Sequence, residues 1–174
     1  INTVSVAGTV TGGSSSVGGL AGDLSGGSIV ESYAAGTIDA GDATSVGGLV
    51  GLCTSGDVID SYALADVTGS DTVGGIAGDI RTETDFENPS ATIERTYAAG
   101  SVTVTAAEPA NGGGGLAGTT VGTFPDVTVD LIDCYWDTQS TAQADAIGFQ
   151  SFGTTTDNLQ GLSTSDMQGD TVDT

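Results

Sequence analysis

A short segment with two adjacent glycines recurs four times and constrains the fold more than any other feature of the sequence. The copies are VGGLAG (17–22), VGGLVG (46–51), VGGIAG (73–78) and GGGLAG (113–118). The first aligned glycine falls at positions 18, 47, 74 and 114, so successive copies are 29, 27 and 40 residues apart. Because self-similarity at periods of about 20–50 residues is typical of repeat proteins, we expect one structural unit per copy.

Two further segments recur with the same spacing. One contains every tyrosine of the chain, at Tyr33, Tyr62, Tyr97 and Tyr135, and its copies read SYAAGTI, SYALADV, TYAAGSV and CYWDTQS. The other directly precedes it and reads SIVE, DVID, TIER and DLID. Each unit therefore contains three short β-type segments separated by Gly, Ser, Asp and Thr, without helical periodicity.

Three short strands in a unit of about 28 residues predict an all-β protein, a parallel β-solenoid (β-helix) of about four to five coils. Each unit would form one coil, and the coils would stack about 4.8 Å apart. We expect the coil to be right-handed by default. A β-propeller, the structural alternative, needs about 40–50 residues and four strands per unit. We place the solenoid at 1–140 and a C-terminal cap or tail at 141–174. The units lie near 4–31, 32–60, 61–95, 96–133 and 134–140.

Aligned positions of the copies indicate which side chains point inward. One column is aliphatic in three of four copies: Ile38, Val67, Val102 and Ser140. Another column is charged and too costly to bury: Glu31, Asp60, Arg95 and Asp133. Strand alternation then places the tyrosines outside, stacked above one another. We expect this charged ladder to bring Arg95 within salt-bridge distance of Asp60 or Asp133.

The outward row of Tyr33, Tyr62 and Tyr97 has two interpretations. It is a candidate ligand-binding platform for sugar rings, or its stacked rings brace the wall by contacts worth about 0.5–1.5 kcal/mol per pair. A bulge that turns the tyrosines inward is a third arrangement. Trp136 replaces a small inward alanine in the last copy and is expected to close the end of the core. Ser163 and Asp166 have the spacing of a capping box for one helical turn.

The recurrent GG-[LI]-[AV]-G and [ST]-Y-A-x-G segments resemble the GLUG-motif repeats of bacterial and archaeal surface proteins. The resemblance covers about residues 4–140, and CYWDTQST followed by GLSTSDMQ is similar to the usual end of such arrays. Asp66 stands where the motif has glycine. The resemblance implies a surface-exposed, non-catalytic β-helical stalk or adhesion module. Ile1 opens within the pattern, so we expect a mature protein or a piece of a longer one.

The charge of the chain is strongly negative. It has 23 Asp and Glu against two Arg, with no Lys or His, for a net charge of −21. This charge argues against nucleic acid and anionic membranes as partners, and the sequence contains no stretch long enough for membrane insertion. Two explanations remain: adaptation to a high-salt medium, which we favour, or the binding of cations.

Several kinds of catalytic site are excluded because the chain has no His and no Lys. Ser-His-Asp and Cys-His catalysis, His-based zinc sites and P-loops are ruled out. The sequence predicts no metal site and no cofactor, and Cys53 and Cys134 are expected to be free thiols. Some β-helices cleave polysaccharides, and the one candidate neighbourhood is Arg81 with Glu83, Asp85 and Glu87. It lies in a polar insert at 81–92, which like the insert at 105–111 is expected to leave the coil wall.

The sequence therefore predicts a non-catalytic structural or adhesion module located outside the cell, on the cell surface. Surface glycans or other surface proteins are its expected partners. The alternative is a subunit that polymerises into an extracellular filament through its open coil ends. A polysaccharide-acting enzyme is the least favoured interpretation.

Overall fold

The computed structural model of the chain describes residues 1–13, 15–85, 89–106, 112–122 and 127–169. These residues are nearly all β, and two single-turn helices, Thr138–Thr141 (α1) and Thr164–Met167 (α2), lie near the C-terminal end. The strands are Ser5–Thr11 (β1), Ser16–Gly18 (β2), Ala21–Ser25 (β3), Ser28–Val30 (β4), Tyr33–Asp39 (β5), Ser45–Gly47 (β6), Val50–Thr54 (β7), Asp57–Ile59 (β8), Tyr62–Gly69 (β9), Thr72–Gly74 (β10), Ala77–Arg81 (β11), Ala91–Glu94 (β12), Tyr97–Ala98 (β13), Val102–Val104 (β14), Gly113–Gly114 (β15), Ala117–Val121 (β16), Val129–Asp137 (β17), Ile147–Gln150 (β18) and Thr154–Leu162 (β19).

The strands form three sheets with parallel pairing. The largest is strongly curled and runs β1-β5-β9-β13-β17-β12-β8-β4, with β14 beside β9 and β19 beside β17. The second runs β15-β10-β6-β2, and the third runs β18-β16-β11-β7-β3. Equivalent residues of successive repeats are paired, so that Tyr33 lies beside Tyr62, Tyr62 beside Tyr97, and Tyr97 beside Tyr135. The predicted all-β class, the parallel pairing and the alignment of the repeats are thus confirmed.

Each glycine pair lies where one short strand bends into the next. In the second copy, Val46 and Leu49 are both fully buried although they are three residues apart, because the chain bends between β6 and β7. A Cβ atom on Gly48 would overlap the carbonyl oxygen of Gly75 and lie 2.6 Å from the Cβ of Ala63. Glycine is therefore required because the bend lies against both the next repeat and the opposite sheet.

The same close approach explains the small residues of the tyrosine segment. Three alanines lie opposite glycines of the bends: Ala34 opposite Gly19, Ala63 opposite Gly48 and Ala98 opposite Gly75. In each pair the alanine Cβ lies 2.6 Å from the position that a Cβ on the glycine would take. In the last copy Trp136 takes the place of alanine, and its indole ring occupies the space beside Gly115. In the first three copies a glycine of the bend thus faces an alanine across the core. In the last copy the indole ring of Trp136 fills the equivalent space.

The core consists of aliphatic columns that run along the stacked strands. The inward column predicted from Ile38, Val67 and Val102 is buried, which confirms the assigned face. A second buried column comes from the segment before each tyrosine, and its members are Ile29, Val58, Ile93 and Leu131. Both columns place the tyrosines on the outer side of the curled sheet.

Two expectations about the inserts and the C-terminal region need correction. The insert near 81–92 is shorter than expected, because Arg81 ends β11 and β12 already begins at Ala91. Trp136 does not close an open end, since β19 pairs with β17 and places Gly161 beside the indole ring. Residues 107–111 of the second insert lie outside the described residues. The division of the chain at residue 140 stays a prediction.

Candidate functional site: the tyrosine ladder and its groove

A sharp corner precedes each tyrosine. The corner residue has a left-handed backbone in every copy, with φ of 49° at Glu31, 50° at Asp60, 48° at Arg95 and 52° at Asp133. In the first three copies the charged residue therefore lies at a corner outside the tyrosine strand, and not within it as alternation had suggested, whereas Asp133 has the same left-handed backbone but lies within β17. The placement of the charged ladder on the outer side is confirmed, because these side chains are exposed or half-buried. Asn158, with φ of 50°, continues the same row.

Hydroxyl groups inside the corner satisfy the backbone there. Ser61, just before Tyr62, is buried, and its Oγ donates a hydrogen bond to the carbonyl of Ile59 at 2.8 Å. The same Oγ accepts a hydrogen bond from the backbone N–H of Ser32 in the preceding repeat at 3.0 Å. Ser32 donates in the same way to the carbonyl of Val30. These bonds tie successive repeats together and explain why Ser or Thr precedes most of the tyrosines.

Arg95 forms the predicted ion pair on the outer side of the ladder. Its Nε lies 2.6 Å from Asp60 Oδ1 and its Nη2 lies 3.0 Å from Asp60 Oδ2, which makes the contact bidentate. Glu94 also contacts Arg95 through Nη1. The hydrogen bond from Arg95 lowers the pKa of Asp60 below its usual value. Asp133, on the other neighbour, accepts a hydrogen bond from Asn158 at 2.6 Å.

Three tyrosine rings form a continuous parallel stack. The centroids of Tyr33 and Tyr62 are 4.8 Å apart and those of Tyr62 and Tyr97 are 4.9 Å apart, with interplanar angles of 4° in both pairs. Burial, and secondarily the charge of Tyr62, raises the pKa of Tyr97. Because the rings lie face to face, the stack covers its internal faces and presents ring edges to solvent.

Tyr135 follows Tyr97 in the pairing register, but the parallel stack of the described residues ends at Tyr97. The hydroxyl of Tyr135 instead accepts a hydrogen bond from Asn158 Nδ2 at 3.4 Å. A groove of about 590 Å³ lies against both Tyr97 and Tyr135, and we call it the ladder groove. A smaller cavity of about 390 Å³ lies on the Arg95 and Asp133 side of the same two rings.

The ladder groove combines apolar and polar groups. Leu64 and Ala99 contribute from the outer side of the sheet, and Leu162 and Met167 contribute from the C-terminal segment. Its polar side chains are Asp137, Thr164, Asp166 and Gln168. Apolar clefts with a few converging polar groups are the usual form of small-molecule sites.

Hydrogen bonds hold helix α2 in place as one wall of the ladder groove. Ser163 caps the helix, and both hydrogen bonds of the predicted capping box with Asp166 are present. Thr164 Oγ1 donates to Asp137 Oδ2 at 2.7 Å, and Thr164 N–H donates to Gln139 at 3.0 Å. Asp137 also caps α1. Burial raises the pKa of Asp137, but the hydrogen bonds that it accepts from Ser140 and Thr164 have the larger effect, so its pKa lies below the usual value. The wall is therefore anchored to the ladder strand itself.

The candidate enzymatic neighbourhood is only partly assembled. Arg81 pairs with Asp79, which is buried, while Glu83 and Asp85 are exposed. Glu87 lies outside the described residues. Asp79 Oδ1 and Arg81 Nε have no hydrogen-bond partner in the part of the chain that the structure describes. In the same part, no group of three or more Cys, Asp or Glu side chains converges as a metal site.

Both cysteines are free and buried, as the sequence predicts. Burial raises the pKa of Cys53 to about 12 and also raises the pKa of Cys134. Cys134 Sγ donates to the carbonyl of Ile132 at 3.1 Å and takes the place of the corner hydroxyl in the last copy. Both thiols are thus structural groups of the wall.

Sequence reasoning identified the tyrosine and charged columns but missed three parts of the site. It missed the left-handed corner, the continuation of the corner row at Asn158, and the ladder groove. A signal for Asn158 existed, because asparagine is enriched in left-handed backbone conformations. The groove had no local signal, since it depends on hydrogen bonds from α2 to Asp137 at the end of β17 and to Gln139 of α1, which lie 27 and 25 residues before Thr164.

Comparison with known proteins gave no match: no family model, no curated protein and no solved structure is similar to the chain. Among the described residues, neither helix is long and apolar enough to span a membrane.

Proposed function

We propose that the chain is a non-catalytic structural and adhesion module of an extracellular surface protein. In this proposal the three sheets are the walls of a parallel β-solenoid with one repeat per coil, about four to five coils and a right-handed turn. The single observation that carries the proposal is the in-register pairing of equivalent residues from Tyr33 through Tyr62 and Tyr97 to Tyr135. The resemblance of the sequence to GLUG-motif repeats supports the same assignment.

A stacked wall of this kind suits a structural role. The tyrosine rings, the corner hydroxyls and the Arg95–Asp60 pair all join one repeat to the next. Each added repeat extends the molecule along one axis and adds the same outer surface, which is how repeat proteins build elongated binding surfaces. The negative charge keeps such a surface soluble and hydrated in concentrated salt.

Glycans are the proposed ligands of this surface. Their hydroxyl groups can donate hydrogen bonds to carboxylate and amide oxygens, and their apolar ring faces can pack on aromatic rings. The ladder groove offers both kinds of group beside Tyr97. Protein partners on the same surface would also satisfy an adhesion role.

A glycan array probed with the folded chain in about 2 M sodium chloride tests the adhesion role, because salt at this level screens the repulsion between acidic groups. We expect binding to a subset of neutral glycans, and the same chain unfolded in guanidinium chloride provides the control. The absence of binding to any glycan, together with the absence of binding to extracted surface proteins, would contradict the proposal.

A self-assembling filament is the second candidate, and the strand edges favour it. Among the described residues, strands β2 and β3 stand at one end of their sheet orders and each leaves one edge without a partner strand, whereas residues 1–3 hydrogen-bond along the outer edge of β4. Unpaired edges of this kind are templates for pairing with another chain. Sedimentation and electron microscopy in high salt distinguish the two candidates, because a filament subunit forms fibres and an adhesion module stays monomeric.

A further inference from the structure

We propose that the sugar site is the ladder groove at the open face of Tyr97, and that the ligand is a neutral pyranose ring. This inference rests on the proposed adhesion function and deepens it. It replaces a platform spread over three tyrosines by a single stacking site at the C-terminal end of the ladder.

The stacking geometry leaves few aromatic faces open. Tyr62 has Tyr33 on one face and Tyr97 on the other, at 4.8 and 4.9 Å between centroids. A sugar ring packs against an aromatic face, whereas the interior of the ladder presents only edges. Within this three-ring stack of the described residues, only the outer faces of Tyr33 and Tyr97 have no tyrosine ring stacked on them.

The two ends of the stack differ in what surrounds them. Tyr33 lies beside Ser5, an exposed residue of the first strand, so its outer face has only a small side chain next to it. Tyr97 faces the ladder groove, which α2 closes on one side. Tyr135, whose hydroxyl accepts a hydrogen bond from Asn158 at 3.4 Å, does not join the parallel stack of the described residues, and the groove lies against both Tyr97 and Tyr135. A sugar ring bound in the groove would contact Tyr97 and Tyr135, which both line it.

The polar groups of the groove match sugar hydroxyls. Asp166 Oδ2 accepts hydrogen bonds from Ser163, while its Oδ1 has no bond among the described residues and can accept one from a ligand. The side-chain amide of Gln168 adds one acceptor and two donors at the same wall. Leu64 and Met167 provide apolar surface for the ring carbons.

The charge of the groove selects against anionic sugars. Asp137 and Asp166 line it, and the chain as a whole carries a net charge of −21. Like charges brought together in a groove are repelled, so uronates and sulfated sugars are disfavoured. A neutral ring keeps the stacking contact and the hydrogen bonds without this repulsion.

A matched pair of substitutions tests the site. Tyr33→Ser and Tyr97→Ser each remove one terminal ring and one stacking contact, so both should lower the melting temperature by a similar amount. Binding is measured by calorimetry in about 2 M sodium chloride, with neutral oligosaccharides and oligouronates as probes. We expect Tyr97→Ser to weaken neutral-sugar binding at least about tenfold and Tyr33→Ser to change it less than about twofold.

Gln168→Ala provides a second variant that leaves the stack intact. Its side chain is exposed, so we expect a normal melting temperature and a loss of affinity of about threefold or more. Equal losses in Tyr33→Ser and Tyr97→Ser, an unchanged affinity in Gln168→Ala, or a preference for uronates would each overturn this inference and leave the adhesion function standing. A wild-type chain that binds no sugar of either kind would overturn the inference and also remove glycans from the proposed function.

Discussion

Replacing Gly48 by alanine should be among the most destabilising single-methyl changes available in this chain. The added Cβ would overlap the carbonyl oxygen of Gly75 and lie 2.6 Å from the Cβ of Ala63, where ordinary carbon contacts are about 3.5–4.0 Å. No side-chain rotation can relieve the overlap, because Gly75 contributes backbone and Ala63 has no rotamers. Overpacking of this kind costs about 1–3 kcal/mol, and we expect about 3 kcal/mol here because the backbone must shift.

Thermal and urea unfolding followed by circular dichroism measure this loss. For a chain of this size, about 3 kcal/mol corresponds to a fall in melting temperature of roughly 6–12 °C. Gly13→Ala is the matched control, since a Cβ there meets nothing within 4 Å and we expect a change within about 0.5 kcal/mol. Adding Ala63→Gly to Gly48→Ala should not restore stability, because the overlap with the Gly75 carbonyl remains. A Gly48→Ala protein as stable as Gly13→Ala would refute the close approach of bend and sheet.

Three further outcomes are expected. Cys53 and Cys134 should not react with Ellman's reagent at about pH 8 in the folded chain, because burial raises both pKa values, and two thiols should react after unfolding; fast reaction of the native protein would contradict their burial. Asp137→Asn should lower the free energy of unfolding at neutral pH by about 1–2 kcal/mol through weaker caps. Because the pKa of Asp137 is lowered in the fold, its stabilisation is present above the unfolded pKa and is lost as pH falls, so the difference from wild type should shrink in acid; a difference that stays constant down to about pH 2 would argue against this linkage. The melting temperature should rise between about 0.1 and 2 M sodium chloride, since screening reduces the self-repulsion of a net charge of −21, and an unchanged value would speak against an adapted acidic surface.

The sequence was sufficient to predict the columns because the repeats report the same position several times. A single Ile38 would be ambiguous, but Val67 and Val102 at the same position identify an inward face. In the same way, an isolated Arg95 has no predictable partner, whereas its alignment with Asp60 places the two side chains next to each other. Their bidentate contact is what this alignment predicts.

Features that depend on backbone conformation or distant packing were not predictable. Alternation from Glu31 to Tyr33 assumed one continuous strand, but the left-handed corner at Glu31 interrupts it. Arginine gives no local signal for such a conformation, so the corner at Arg95 follows only from its neighbours in the stack. Tyr135 belongs to the tyrosine column by sequence, yet the parallel stack of the described residues ends at Tyr97, and the hydroxyl of Tyr135 accepts a hydrogen bond from Asn158.

The ladder, the groove and the glycine contacts all depend on one repeat lying directly above the next in a single register. An engineered disulfide measures that register directly. Ser28 and Asp57 are paired in β4 and β8, which places their Cα atoms about 4.8 Å apart and within the range for a disulfide. The pair Ser28→Cys and Asp57→Cys should bridge under mild oxidation, with a mass loss of two hydrogens. The control pair, Ser28→Cys with Ile59→Cys, is displaced by two residues, about 8 Å between Cα atoms, and should stay reduced. Bridging in the control pair alone, or in neither pair, would contradict the stacking of the repeats.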